Sequence, residues 1–199
     1  MSGSFPISSA NFETMGIQSK QNTIISKSQS GKKLSRQIDG QRFGFTAKII
    51  VGKRSDVYGE LMAFIVKQRS QKENFTIIPP EVEDARGTAS GTPHGTASAG
   101  ATSITLGGTG TGTLLAGDFI KFASHDKVYM VVADQSDIST GSLTIEPPLI
   151  TSVSSSNITY DNVPFTVHLT NDMQEFGAVG ADKDGNVLYK FELDVEEAL

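Results

Sequence analysis

The sequence predicts a mainly β protein with one α-helix on its flank and a small inserted β-barrel. Two long stretches, residues 43–49 and 187–195, alternate apolar and polar side chains with a period of two, which is typical of half-buried strands. Between them lie several short apolar runs separated by turn residues, and that spacing indicates a small barrel or sandwich. Only residues 55–69 place apolar side chains at helical spacing.

The first long strand has two different faces. Its apolar face consists of Phe43, Phe45, Ala47 and Ile49, and its polar face of Arg42, Gly44, Thr46 and Lys48. A second strand at residues 75–78 ends before Pro79, because proline cannot donate a hydrogen bond to a sheet. A helix held between two such strands must cover the sheet to which they belong.

The helix has a predicted beginning and end. Ser55 is the expected N-cap, and Asp56 lies in the first turn, where an acidic group suits the helix dipole. Lys67 and Arg69 lie in the last turn, where cations are favourable. The apolar stripe consists of Val57, Leu61, Phe64 and Ile65.

Composition excludes several classes of function. The chain has 199 residues and a net charge of -5, with 17 basic and 22 acidic residues interspersed, so we expect no specific binding of nucleic acid. Cysteine is absent, which excludes disulfides, thiolate metal sites and cysteine nucleophiles. No apolar run approaches the roughly 20 residues of a membrane helix, so we expect no membrane insertion. The first residues lack a signal-peptide pattern, which predicts synthesis in a cytoplasm.

The chain divides into three predicted parts. Residues 1–33 are polar and serine-rich, and we expect a flexible arm with at most one strand or, alternatively, an arm that becomes ordered only against a neighbouring subunit. Residues 34–84 and 163–199 form a discontinuous β domain, because the long period-two strands return after Pro164. Residues 85–162 form the inserted β module.

The last strand has the clearest alternation in the chain. It follows a hairpin turn of the Asp-Gly type at residues 182–186. Its apolar side is Val187, Tyr189, Phe191, Leu193 and Val195, and its polar side is Lys190, Glu192, Asp194 and Glu196. We expect this strand to complete the sheet that begins at Phe43.

Glycine and threonine dominate the first part of the inserted module, residues 87–113. Such composition is common in linkers, but Ile104 and Leu106 alternate with polar residues as in a strand. We therefore predict short threonine-rich strands with glycine turns. A later strand is expected to place Val128, Met130 and Val132 on one face.

The three histidines do not form a predicted catalytic or metal site. His94, His125 and His168 lie far apart in the sequence and lack metal-ligand spacing. Ser124, His125 and Asp118 suggest a triad, but a nucleophile and its base usually come from separate elements. We predict no enzymatic activity, no metal and no cofactor. A hydrolase is the weakest alternative, and a turnover lost on replacing His125 would support it.

Two further loops imitate ligand sites. The glycine-rich run at residues 107–112 lacks both the lysine and the following helix of a phosphate loop. Residues 182–186 resemble part of a calcium loop but lack the downstream glutamate, so the hairpin turn is the better interpretation.

A set of motifs extends over most of residues 34–199, and residues 117–149 are its most specific part. The motifs are Arg42-Phe-Gly-Phe-Thr46, Ala63-Phe64, Gln68-Arg69, Phe75-Thr-Ile77, Arg86-Gly-Thr-Ala-Ser-Gly91, Leu115-Ala-Gly-Asp-Phe119, Lys127-Val-Tyr-Met-Val131, Thr144-Ile-Glu-Pro-Pro-Leu149 and Phe191-Glu-Leu-Asp-Val-Glu-Glu197. An aromatic strand that leads into a helix ending near an arginine, followed by a strand with a central phenylalanine, resembles bacteriophage tail-tip proteins of the distal tail protein type.

The resemblance implies a structural protein of the virion. Such proteins have a tail-tube-like β-sandwich with a flanking helix, and they form a hexameric ring at the baseplate. The implied partners are further copies of the chain, the tail tube protein, the hub protein and the tape measure protein, with fibre or receptor-binding proteins on an accessory β domain. Here that domain is inserted rather than appended. The alternatives are a host-surface or glycan-binding module of a tail, or a tail tube or neck adaptor component.

A ring requires subunit interfaces, and the polar faces of the long strands are the candidates. We expect these faces to meet a lumen or a neighbouring subunit. The predicted interface residues are Arg36, Arg42, Thr46, Lys48, His168, Glu192, Asp194 and Glu196.

Overall fold

The structure, a computed structural model, describes residues 3–6, 11–80 and 82–199. It confirms a mainly β protein whose described residues form twelve strands and one α-helix. One group of strands makes an open sheet and the other a closed barrel. The sheet contains β1 (Phe12–Lys27), β2 (Lys33–Lys53), β3 (Phe75–Ile77), β10 (Phe165–Leu169), β11 (Phe176–Ala181) and β12 (Val187–Glu197). The barrel contains β4 (Pro93–Ala97), β5 (Ser103–Gly108), β6 (Phe119–Phe122), β7 (Val128–Val131), β8 (Ser142–Glu146) and β9 (Val153–Thr159).

Strands from both ends of the chain pair in the open sheet. Its order is β1-β2-β12-β10-β3, and β11 lies beside the first half of β12. The strands β2 and β12 are antiparallel, with Ala47 opposite Leu193 and Phe45 opposite Val195. The period-two pattern of the two strands therefore places their apolar residues on the same side, which is the core side.

The buried face of the sheet agrees with the predicted alternation. Phe43, Phe45, Ala47 and Ile49 of β2 are buried, as are Phe191, Leu193 and Val195 of β12. The prediction is wrong for Val187, which is 45% exposed. The reason is its position next to the β11–β12 turn: Leu188 pairs with Lys53, the last residue of β2, so Val187 lies beyond the core.

The helix begins differently from the prediction. Residues Arg54–Tyr58 form a π-helical turn, and α1 follows at Gly59–Lys67. No side chain caps either segment, so the prediction of Ser55 as N-cap is wrong. Tyr58 anchors the start of α1 instead, because it is fully buried and its hydroxyl donates a hydrogen bond of 3.0 Å to the carbonyl of Ile50.

The apolar stripe of α1 faces the sheet as predicted. Leu61 and Ile65 are buried in the sheet core, and Val57 and Phe64 pack against it half-buried. Arg69 lies beyond α1 with a left-handed backbone (φ 54°), so it belongs to the turn after the helix and not to its last turn.

The predicted arm contains the one strand that the prediction allowed for, at residues 12–27. These residues form β1, which pairs with β2 along almost its whole length, from Phe12 opposite Ile49 to Lys27 opposite Lys33. Residues 3–5 also contact the sheet, because Phe5 lies in the core and its amide donates to the carbonyl of Thr76. The rest of the predicted arm before residue 12, apart from residues 6 and 11, lies outside the described residues.

The inserted strands close into a barrel with the order β4-β5-β8-β7-β6-β9. Two of its strands, β6 and β7, are buried on both faces. Phe122 and Tyr129 point into the barrel core, whereas Phe119 and Val128 belong to the core of the sheet. These two strands are therefore the wall that the barrel shares with the sheet.

The predicted face of β7 is partly wrong. Val128 and Met130 contact the sheet core as one face, but Val132 is 43% exposed because the strand ends at Val131. Burial of both faces also hides the expected alternation, since Tyr129 and Val131 are as buried as Val128.

The glycine- and threonine-rich segments form a paired ribbon where the chain leads into the barrel. Ser90 and Thr111 form an antiparallel bridge with backbone hydrogen bonds of 2.9 and 2.8 Å. The two segments approach each other so closely that glycine is required at position 112: a Cβ there would lie 2.1 Å from the carbonyl oxygen of Thr88. The composition therefore serves packing between two chain segments, in agreement with the prediction that this part is not a linker.

Candidate assembly interface

Seven of the eight predicted interface residues lie together on the polar face of the sheet. Six of them lie opposite one another in adjacent strands, and the seventh, Arg42, forms an ion pair with Glu196. The opposed pairs are Thr46 with Asp194, Lys48 with Glu192, and His168 with Glu196. We call this surface the polar face. That it contacts another subunit stays a prediction.

The eighth residue, Arg36, lies away from the polar face. It pairs with Ile24 in the part of the β1–β2 hairpin that extends past the other strands. The pairing of β1 with β2 shifts register between Lys20 and Asn22, so the alternation of β2 does not run unbroken from Arg42 to Arg36.

Ion pairs cross the polar face between strands. Glu196 binds Lys20 at 3.0 Å and Arg42 at 3.3 Å, and the partly exposed Lys48 approaches Glu192 at 3.5 Å. Exposed pairs of this kind contribute only about 0–1 kcal/mol each. The polar face is thus a charged surface whose groups contribute little to the stability of the chain itself.

The titratable groups of the polar face are shifted by their neighbours. Partial burial acts to raise the pKa of Glu196, but Lys20 and Arg42 outweigh it and hold that pKa below its ordinary value. Burial lowers the pKa of His168, and the positive charges of Arg42 and Lys20 lower it further against the opposing effect of Glu196. His168 is therefore neutral at pH 7, beside an ionised carboxylate.

The sheet has free strand edges among the residues described. The 16-residue strand β1 pairs only with β2, and the six-residue strand β11 pairs only with β12. These edges lie on opposite sides of the β2–β12 pair. At β3, by contrast, Ser4 forms a bridge with Thr76 and covers that edge. Unpaired N–H and C=O groups along β1 and β11 are available to another strand.

A buried ion pair joins the barrel to the sheet behind the polar face. Lys127, just before β7, donates to the carboxylate of Glu197 at the end of β12 and, at 3.0 Å, to the side-chain oxygen of Gln41. Glu197 also accepts from the amide of Val128 at 2.8 Å and from that of Phe43 at 3.2 Å. Burial lowers the pKa of Lys127, and Glu197 opposes that shift.

Aromatic rings pack on both sides of the same junction. Phe119 of the barrel lies 5.2 Å from Phe43 and 5.5 Å from Phe165, measured between ring centroids and close to edge-on. Phe45 lies 4.8 Å from Phe165. With the ion pair, these rings fix the orientation of the barrel on the sheet.

The barrel does not present an aromatic platform for a sugar. Residues 85–162, all of which are described, contain four aromatic residues: Phe119, Phe122, Tyr129 and Tyr160. All four are buried. This burial disfavours the alternative of a glycan-binding module, since sugar sites usually rely on exposed rings.

The structure separates Asp118 from the other two members of the suggested triad. The hydroxyl of Ser124 lies 3.0 Å from His125 Nδ1, but Nε2 of that histidine faces the hydroxyl of Tyr129 at 2.8 Å and not a carboxylate. Asp118 instead accepts hydrogen bonds from the amides of Arg86 and Leu115. The arrangement holds a turn of the barrel, and the absence of enzymatic activity stays a prediction.

The two loops that imitate ligand sites are occupied by internal hydrogen bonds. In the glycine-rich run, the amides of Thr109 and Thr111 donate to carbonyls of the opposite segment, at 3.4 and 2.8 Å, and are not free for a phosphate. In the turn at residues 182–186, Asp182 binds Lys53 and both nitrogens of Asn186. These contacts hold the pKa of Asp182 well below its usual range.

The described residues contain no cluster of metal-ligating side chains and no membrane-spanning helix. In the described part of the chain, no three His, Asp or Glu side chains are grouped as metal ligands, and no helix has the length and apolarity needed to span a membrane. The sequence matches no protein-family model and no curated protein.

Sequence reasoning missed the junction and one member of the polar face. Lys20 was not expected because β1 lacks a regular pattern. Glu197 was missed although a signal existed: it continues the inward positions 191, 193 and 195 of β12, and an inward glutamate requires a buried partner. Lys127 is that partner.

Proposed function

We propose that this chain is a structural protein of a bacteriophage tail and that six copies form a ring. The ring lies at the distal end of the tail and joins the tail tube to the hub and the receptor-binding apparatus. The resemblance over residues 34–199 supports this function. The structural observation that carries it is the open sheet with free edges at β1 and β11. Edges on opposite sides favour heterologous contacts from copy to copy, and such contacts close into rings.

The composition of β11 supports a partner strand at its edge. Its sequence, Phe176–Ala181, has no charged residue and no proline, and Ala178 and Val179 are exposed. Proteins usually protect such an edge with lysine, proline or a covering segment, because it otherwise pairs with other chains. An unprotected edge of this kind favours a neighbour in the assembly.

The same proposal assigns the partners. The sheet meets further copies of the chain and, along the ring axis, the tail tube, hub and tape measure proteins. The barrel faces outward and carries fibre or receptor-binding proteins. Its lack of an exposed aromatic residue favours protein partners over a glycan. The virion is the expected location, after synthesis in the host bacterial cytoplasm.

Replacing Val179 with lysine tests the edge contact. V179K places a charge on β11 without touching the core, since Val179 is 45% exposed. We expect wild-type protein at high concentration, with or without the tail tube protein, to form six-fold particles in negative-stain images, and V179K to remain monomeric by light scattering. V66K is the matched control, because Val66 on α1 is 74% exposed, and it should form rings.

Two results would contradict the proposal. Failure of the wild-type protein to form six-fold particles, even with the tail tube protein, would contradict the proposed ring. Rings that persist in V179K would retain the ring but exclude pairing through β11. Imaging of intact tails labelled on the barrel would then place the ring at the tip, in the tube or at the neck.

A further inference from the structure

The β1–β2 hairpin continues beyond the rest of the sheet as a two-stranded ribbon. We call residues 22–38 the distal hairpin; Asn22 pairs with Ile38 and Lys27 with Lys33. Every residue of the distal hairpin is exposed, and the pairing of β2 with β12 starts only at Gly44. An isolated two-stranded hairpin is only marginally stable in water, so this segment is suited to packing against a partner.

One face of the distal hairpin carries an apolar stripe. Residues directly opposite each other share a face, and Ile24 lies opposite Arg36 with Leu34 and Ile38 diagonally beside it. These three apolar side chains are 57%, 55% and 45% exposed, respectively. The other face has a single large apolar residue, Ile25, which is 55% exposed.

The distal hairpin is also the most basic part of the chain. It contains Lys27, Lys32, Lys33 and Arg36 and no acidic residue. Residues 171–199 have the opposite balance, with eight acidic and two basic residues. The partner of the distal hairpin should therefore be acidic with some apolar surface, and the chain itself has such a surface.

That surface is a groove of about 350 Å³ beside β12. We call it the acidic groove; it is lined by Asn171, Met173, Gln174, Glu175, Gly177, Lys190, Glu192 and Asp194. Met173 is 82% exposed and provides apolar contact area next to the carboxylates.

We propose that the distal hairpin of one copy docks into the acidic groove of a second copy. Ile24, Leu34 and Ile38 meet Met173, and Arg36, which lies on the same face of the hairpin, meets Glu175 and Glu192. Apolar contact supplies the affinity, and the opposite charges select the register and speed association.

The hairpin cannot fill the groove of its own chain. Asp194 in the groove lies opposite Thr46, and Leu34 lies 12 residues further along β2. At roughly 3.3 Å per residue this separates the two surfaces by about 40 Å along one strand. The contact is consequently between copies and joins different surfaces on each.

This contact goes beyond the proposed ring, because it uses neither the edge of β1 nor that of β11. The two interfaces are separable by experiment. V179K should abolish lateral rings and leave hairpin docking intact.

Disulfide trapping tests the docking directly, because the chain has no cysteine. Full-length Leu34→Cys protein is mixed with full-length Met173→Cys protein and oxidised. We expect mixed cross-linked dimers to form about tenfold faster than with Ile25→Cys and Met173→Cys, since docking raises the effective concentration of the facing pair. Ile25 is the matched control because it is equally exposed at the same height on the opposite face.

Exchanging the charges of the two surfaces is a second test of the docking. R36E should weaken association about tenfold in sedimentation experiments, and mixing it with E175K/E192K should restore association. R54E makes the same change in net charge outside the hairpin and should associate like the wild type.

Several outcomes would overturn the docking proposal. Equal trapping of Leu34→Cys and Ile25→Cys would do so, as would a dominant Leu34→Cys homodimer, or loss of the mixed cross-link in V179K. Failure of the charge-exchanged pair to associate would also contradict it. Binding of duplex DNA that R36E abolishes and R54E does not would assign the basic hairpin to nucleic acid instead.

Discussion

The barrel and the sheet treat their strand edges in opposite ways. In the barrel, β4 pairs with both β5 and β9, so the ring of six strands closes and has no free edge. In the sheet, β1 and β11 each have one described neighbour, and the distal hairpin has no core beneath it. The barrel is therefore closed within one chain, whereas the sheet has two strands whose outer edges have no described neighbour.

The two regions nevertheless share a wall. Strands β6 and β7 bury one face in the barrel and the other against Phe43 and Phe165 of the sheet. Lys127 and Glu197 form a fully buried ion pair at that wall. The strength of this wall therefore decides whether the closed barrel and the open sheet unfold together.

The largest effect is expected from breaking the ion pair at the wall. K127M leaves Glu197 buried without its cation and should reduce the free energy of unfolding by about 3–5 kcal/mol. Urea denaturation followed by circular dichroism measures this. K121M is the comparison: Lys121 is also largely buried, but the Asp126 carboxylate that it would leave is 49% exposed and stays hydrated, so the loss should be smaller, about 1 kcal/mol.

The double variant K127M/E197Q sharpens the result. A neutral amide oxygen still accepts from the amide of Val128, so part of the lost stability should return. Equal, small losses in K127M and K121M would mean that the wall is not a dry junction and that the two regions are more loosely joined than the contacts indicate.

An intermediate effect is expected in the ribbon that leads into the barrel. In G112A the new methyl group meets the carbonyl of Thr88 at 2.1 Å, whereas in G100A nothing lies within 4 Å. Both glycines have positive φ, of 86° and 81°, so backbone strain is matched. G112A should therefore be less stable than G100A by about 1–3 kcal/mol in the same denaturation experiment. Equal stabilities would show that the ribbon separates from the barrel without cost.

The smallest effect is a pH dependence that has a separate source in each region. Burial lowers the pKa of His125 in the barrel and of His168 in the sheet. The charge of Asp126 acts to raise the pKa of His125 and that of Lys121 acts to lower it. Glu196 opposes the lowering of the pKa of His168. Below about pH 6.5 the unfolded chain binds more protons than the folded chain, so stability should fall as pH falls towards the lowered pKa values.

Single and double glutamine variants assign that dependence. Urea midpoints at pH 5 and pH 8 should differ most in the wild type, less in H125Q or H168Q, and least in H125Q/H168Q. A wild-type midpoint that rises on acidification would contradict the direction of both shifts.

Sequence reasoning succeeded where a strand has one buried and one polar face. The alternation of β2, β10 and β12 located the sheet core and seven residues of the polar face, because β2 and β12 each contact a core on one side only. It failed for β7, where burial on both sides removes the alternation, and for β1, where exposure on both sides has the same effect. The π-helical turn at Arg54–Tyr58 has no cap signal, so the start of α1 was misplaced.

The candidate interface was predictable only to the extent that its residues follow strand parity. Arg36 was assigned to the same polar face as Arg42, but the register shift near Asn22 and the length of the hairpin separate them. The buried pair of Lys127 and Glu197 depends on the docking of two regions 70 residues apart, which no local pattern encodes. The residues that join the regions are thus harder to predict than those within either one.

The path of the chain between the two regions determines whether the barrel can be deleted or replaced. The chain leaves the sheet after Ile77 and returns at Phe165, and these residues face each other in adjacent strands. A short turn could replace the whole excursion and leave an ordinary hairpin. Packing opposes that deletion, because loss of the barrel would expose Phe43 and Phe165 to water and leave Glu197 without its cation. Exchanging this barrel for a different one would thus require rebuilding the surface of the sheet that receives it.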